Sequence, residues 1–177
     1  MVHIPKSWNG PHAHGSPDSG WHFKKRTNKG TEGMAIEEIR STFLGYYEKR
    51  LKLQLLRSEL VSLRESATGA CVTDEGQLET HYSLETFDTQ VIESVIADTY
   101  SITCEYPDLL ALLTRIRQVA RVANNKIRIF FGIVQLPLTT KAKVIRDHNE
   151  FMRPNCETIA ELCSNAVETL EALLART

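Results

Sequence analysis

Along the last third of the chain, apolar positions recur at alternating steps of four and three. They are Ile145, Met152, Cys156, Ile159, Cys163, Ala166, Leu170 and Leu173, with Asn149 the one polar member of the series. Steps of this size place side chains on one stripe of an α-helix. A second stripe, Ile39, Phe43, Tyr46, Leu53, Leu56, Leu60, Leu63 and Ala67, lies nearer the start. Neither helix can bury its stripe alone. The pattern therefore predicts an all-α protein, an antiparallel helical bundle or coiled-coil hairpin built on two long helices. Leu53, Leu56, Leu60, Leu63, Met152, Ile159 and Leu170 form its seam.

The pattern predicts four or five helices. Helix one covers about 34–67, and Gly69 and Gly76 bracket the loop after it. Helix two covers 84–99 with Ser83 as its N-cap, burying Leu84, Phe87, Val91 and Val95, with Ile92 as an alternative member of that inner face. Residues 101–106 are a link, and Pro107 stands where a first helical turn tolerates proline. Helix three covers about 107–131 and packs through Leu109, Leu112 or Leu113, Ile116, Ala120, Ala123, Ile127 and Phe130, with Gly132 and Pro137 marking its end. Helix four starts near Thr139 or Thr140. Pro154 lacks a backbone donor and crowds the preceding turn. The apolar phase nevertheless runs unbroken from Met152 to Cys156 to Ile159, which favours one continuous, kinked helix over two.

Residues 1–33 break the pattern. They hold five of the nine glycines, three of the six prolines, four of the six histidines and both tryptophans, but no leucine. Five basic and two acidic residues give this segment +3, which leaves −4 for the rest of a chain of net −1. Such a composition cannot offset its ordering entropy by burial, so 1–33 is expected to be a disordered basic tail and 34–177 the helical domain. Met34 is an alternative natural start.

The whole chain has 177 residues, 42% of them hydrophobic, enough for one ordinary domain with a core. No apolar run approaches the roughly 20 residues of a membrane span, and residues 1–30 lack the apolar stretch of a signal peptide. Cys71, Cys104, Cys156 and Cys163 form no C-x-x-C pair. They read as reduced thiols of a cytoplasmic protein.

Candidate chemistry is sparse. His12 and His14, with His3 and His22 nearby, could chelate a metal loosely, but a loose tail supplies no fixed ligand set; no metal and no cofactor is expected. Lys24, Lys25, Arg26 and Lys29 beside Trp21 and Phe23 could touch phosphates and stack on a base. Asp147, His148 and Glu150 read as a solvated helical face, because nothing nominates a nucleophile for His148 to serve. Asn149 falls on the apolar stripe and reads as a device that sets register. Arg117, Arg121 and Arg128 form a stripe on helix three. Counting back from a connection at 132–139 sets Arg117 or Arg121 within ion-pair reach of Glu150. Phe131, Ile133 and Val134 belong to an apolar run that is either a buried helix end or a patch for a partner.

The stretch Tyr82-Ser83-Leu84-Glu85-Thr86-Phe87-Asp88, followed by a helix, a link and Pro107-Asp108-Leu109-Leu110, resembles a pattern in small bacterial and archaeal helical proteins. Many of those are membrane-tethered or defence-associated accessory proteins with no assigned chemistry. The resemblance covers about 83–130. It implies a helical, prokaryotic, non-enzymatic protein and transfers no functional residue.

These readings converge on a non-enzymatic helical interaction or scaffold module, accessory to a signalling or defence system. Its partner would be another protein or a second copy of itself. The alternative is a nucleic-acid-associated accessory protein using the basic tail and the Arg117, Arg121 and Arg128 stripe. An enzyme assembled from His148, Asp147 and His81 is the third possibility.

Overall fold

A computed structural model describes residues 13–16, 20–27, 30–97, 106–135 and 140–175. Four helices carry the fold: α1 (Ile36–Ala70), α2 (Gln90–Ala97), α3 (Pro107–Val134) and α4 (Lys141–Leu174). Before them stand three short strands, β1 (Ala13–Ser16), β2 (Gly20–Thr27) and β3 (Gly30–Gly33), paired antiparallel in chain order.

Helix α4 lies between α1 and α3 and packs on both, while α2 touches α1 and α3 from the other side. The result is the expected all-α bundle. Its core runs along the two stripes: Leu53, Leu56, Leu60, Leu63 and Ala67 of α1 meet Met152, Cys156, Ile159, Cys163 and Leu170 of α4, joined by Leu109, Leu113 and Ile116 of α3. Contacts across α1 and α4 fix an antiparallel register. Arg57 pairs with Glu171 at 2.6 Å, and Arg153 donates to the Val72 carbonyl at 3.1 Å.

Pro154 does not divide α4, which is helical throughout. The carbonyl that loses its donor belongs to Glu150, which is exposed to water. In the same turn the Thr158 hydroxyl donates to the Pro154 carbonyl at 2.7 Å. Asn149, on the stripe, is buried. Its amide donates to the Leu78 carbonyl at 2.8 Å and the His81 carbonyl at 2.6 Å, tying the loop after α1 to α4. The seam polar residue thus satisfies two loop carbonyls that would otherwise be buried without a donor.

Four expectations need correction. Helix two begins at Gln90, not at 84. Residues 84–89 are irregular because the side chain of Asn124 on α3 occupies both backbone groups of Phe87. The inner face is otherwise as expected, and Ile92 is fully buried. Helix three continues through Gly132 to Val134; a glycine weakens a helix without ending it.

The first half of the α1 stripe is not in the core. Phe43 is exposed, and Ile39 and Tyr46 are half-buried. The Arg57–Glu171 pair sets the last turn of α4 level with Leu53, so residues 36–49 run past it for about 20 Å.

Residues 13–33 carry paired strands where composition alone implied no regular structure; 1–12, 17–19 and 28–29 lie outside the described residues, as do the expected link at 101–105 and Cys104. Connections of three and two residues are hairpin lengths, and ladder hydrogen bonds are a source of order that a burial argument omits. The sheet joins α1 through the Met34 N–H, which donates to the Phe23 carbonyl at 2.9 Å, and through an edge-to-face contact of Phe23 with Phe43 at 6.1 Å.

Candidate interaction surfaces

Helix α1 is apolar on two sides. Opposite its buried leucines stand Ile36, Phe43, Leu44, Tyr47, Leu51 and Leu55, exposed by 37% to 73%. At 100° per residue these six fall within an arc of about 120° centred opposite the seam, and the exposed Arg40 and Gln54 fall within the same arc. Glu37 and Glu48 border the arc on one side, Arg50 and Arg57 on the other. Arg57 already pairs with Glu171. In the sequence this second stripe is hidden by the first, whose period it shares. The signal was present in Leu44, Tyr47, Leu51 and Leu55, which also step by three and four.

The expected patch at the end of α3 is divided by the helix. Phe131 and Ile133 face solvent, whereas Val134 is buried with Phe130 and Ile145 in a small second core. Val134 is therefore no surface residue; it lies one turn from Phe130, on the side facing α4.

Beside that core, the expected solvated face at 147–150 is overturned at His148, which is 2% exposed. Its ring stacks on Phe130 with centroids 3.9 Å apart and planes 16° from parallel, and Tyr82 meets the same phenyl edge-on at 5.2 Å. The α4 stripe is wide enough to carry His148 inward beside Asn149. Burial lowers the imidazole pKa; the Ser83 backbone opposes this and the Lys126 charge adds to it. The ring is thus held neutral, and its Nδ1 has no protein partner. A cavity of about 210 Å³ adjoins it, lined by Lys126, Ile129, Phe130, Ile133, Val144, Asp147 and His148. The His81 carbonyl meets Asn149, but its side chain, the third of that possible enzyme site, is exposed, hydrogen-bonds Thr80 at 2.9 Å and lines a different cavity from His148. The three residues do not form one constellation.

The arginine stripe faces a polar groove. Arg121 and Arg128 line it together with Asn124 and Asn125, and Asp88 and Glu93 stand on the same walls. Arg117 is half-buried. Neither Arg117 nor Arg121 pairs with Glu150 among the described residues. The register is the reason. Phe130 lies against His148 and Lys126 stands 5.0 Å from the Phe151 ring, so α4 sits about two turns from where a connection at 132–139 would place it.

Among the described residues no three His, Cys, Asp or Glu side chains gather as metal ligands. The strand register sets His14 opposite His22, while His3 and His12 lie outside the described residues. Cys71, Cys156 and Cys163 are free thiols. Burial pushes Cys156 and Cys163 up to about 12, which removes the thiolate that metal binding or nucleophilic attack needs. No described helix is long and apolar enough to cross a membrane. No family model, curated protein or solved structure matches the chain.

Proposed function

We propose that the protein is a non-enzymatic helical interaction module, a bundle whose α1 presents a docking face to a protein partner. The observation that carries this reading is the set of large apolar side chains exposed on the outward side of α1, Ile36, Leu44, Tyr47, Leu51 and Leu55, with Arg40 among them. Isolated exposed leucines are ordinary on protein surfaces; several large apolar side chains on one side of a helix, mixed with a charged one, are what helix-docking partners contact. The arginine groove supports a nucleic-acid role less well. Asp88 and Glu93 on its walls would repel phosphates beside Arg121 and Arg128.

A photo-crosslinking residue at Tyr47, and the same residue at exposed Glu161 as control, tests the proposal in cells that produce the protein. A heavier adduct from position 47 and none from 161 is the expected result. Equal labelling, or no adduct at either position, would sink the interaction reading.

A further inference from the structure

Beyond the face of α1, we infer that the end of the bundle where α3 stops and α4 starts is a membrane-contact site, which docks the protein peripherally on a bilayer rich in anionic phospholipid. The first observation is charge. From Leu109 to Arg146 the chain holds eight of its 21 basic residues and none of its 22 acidic ones. The net charge of −1 therefore conceals a strongly basic stretch, which contains nearly all of α3 and the first turn of α4.

Part of that charge is used inside the fold. Arg146 pairs with Glu79, and Arg121 shares its groove with Asp88 and Glu93. The rest gathers towards the end of the bundle. Lys141 and Lys143 are exposed and make no ion pair among the described residues. Arg128 is exposed and makes none either, although Asp88 and Glu93 line the same groove. Lys126 is half-buried, its ammonium 5.0 Å from the Phe151 ring. The first carboxylate on α4 is Asp147, about 9 Å inward from Lys141 along the helix.

The second observation is position. Arg153 donates to the Val72 carbonyl, so α1 ends level with it. Lys141 lies about 18 Å further out along α4, at the end of the bundle opposite the start of α1. The loop after α1 meets this pair of helices through Glu79 on Arg146 and Tyr82 on Phe130, which leaves the last turn of α3 and the first of α4 outermost.

The third observation is the direction of the apolar side chains there. Ile129, Phe131 and Ile133 are exposed by 61%, 51% and 38%. Exposed apolar residues are ordinary one at a time, but Phe131 points about 200° away from both isoleucines around the helix. A partner laid along one side of α3 would cover Phe131 or the isoleucines. A fluid surface met end-on covers all three. On a bilayer the headgroup phosphates meet the lysines, whose flexible stems keep the ammonium groups at that level, while the apolar side chains reach the acyl boundary. Stable attachment takes an apolar and a basic element together, and this end of the bundle carries both. Nucleic acid would meet the charges and leave Ile129 and Ile133 in water.

Flotation of the full chain with vesicles of phosphatidylcholine, alone or with one third phosphatidylserine, reads the result. The protein should rise with the phosphatidylserine vesicles at about 0.1 M salt, stay behind with phosphatidylcholine alone, and come off towards about 1 M salt, where the screening length falls to about 3 Å. Each basic residue near such a surface changes the partition about fivefold, so Lys141→Gln with Lys143→Gln should lower it about 25-fold. Phe131→Ser with Ile133→Ser changes no charge and should lower it by about tenfold or more. All four side chains are exposed, so both double variants should keep the helical circular dichroism and melting of the bundle.

A wild type that stays behind with phosphatidylserine vesicles, or rises equally with phosphatidylcholine, would overturn the inference. So would either double variant floating as the wild type does, which would move the contact elsewhere, the basic residues of 1–33 included. A wild type that does not float but binds a labelled single-stranded RNA, with binding lost in Lys141→Gln with Lys143→Gln, would overturn it in favour of a nucleic-acid surface. None of these outcomes bears on the Tyr47 crosslink, which tests the α1 face separately.

Discussion

The side-chain amide of Asn124 holds Phe87 by both of its backbone groups, accepting from the N–H and donating to the carbonyl, each at 2.8 Å. A neighbouring strand would make the same two bonds. They keep residues 84–89 out of the helix and bring Phe87 into the core, which is why α2 starts six residues later than its sequence pattern suggests. Asn124→Ala should cost about 1–3 kcal/mol in urea melts, the penalty for leaving two part-buried backbone groups without partners. Asn124→Asp should not rescue it, because a carboxylate has no hydrogen to give the Phe87 carbonyl. A neutral result for both variants would mean the clamp does not shape the loop.

The two apolar faces of α1 should respond oppositely to truncation. Leu56→Ala, Leu60→Ala and Leu170→Ala remove fully buried side chains and should each cost about 2–5 kcal/mol. Leu51→Ala, 62% exposed, should fall within about 0.5 kcal/mol of wild type at concentrations too low for association. Guanidinium melts at 1 µM make the comparison, and a large loss at Leu51 would place that residue in the core.

His148 should make stability depend on pH. Its pKa is lowered in the fold, chiefly by burial, so near pH 6 the unfolded chain binds a proton that the folded chain does not. The folded state therefore has its full advantage above the unfolded value of about 6.5, and loses it as pH falls from there towards the folded value, by at most about 1.4 kcal/mol per pH unit. His148→Phe keeps a ring against Phe130 and removes the titration. Melts between pH 7.5 and 5 should be flatter for the variant, and identical slopes would show that His148 carries no proton linkage.

Thiol labelling should follow burial. Cys71 is partly accessible, although its own pKa is raised by burial and by Glu157. Cys156 and Cys163, buried and pushed up to about 12, should react with a thiol reagent only as fast as the bundle opens. Mass spectrometry after labelling at pH 8 should find Cys71 modified well before either; early modification of Cys163 would contradict the packing of α4 on α1.

The sequence by itself determined the class of the fold, the long helices and both halves of the seam. Those are local facts: a step of three or four residues lines a helix face whatever surrounds it. Leu53 to Leu63 and Met152 to Leu170 were legible on that ground alone, as was the continuity of α4 across Pro154. Only the tertiary structure decided which stripe residues are covered, because coverage depends on where the neighbouring helix ends. Ile39 and Phe43 obey the same periodicity as Leu56, yet α4 stops level with Leu53 and leaves them outside. Likewise His148 sits beside Asn149 in the chain and reads as polar surface, but the register of α3 brings Phe130 over it. The second face of α1 was written in the chain in the same steps as the first; two superimposed stripes look like one unpatterned helix until the structure shows which of them is buried.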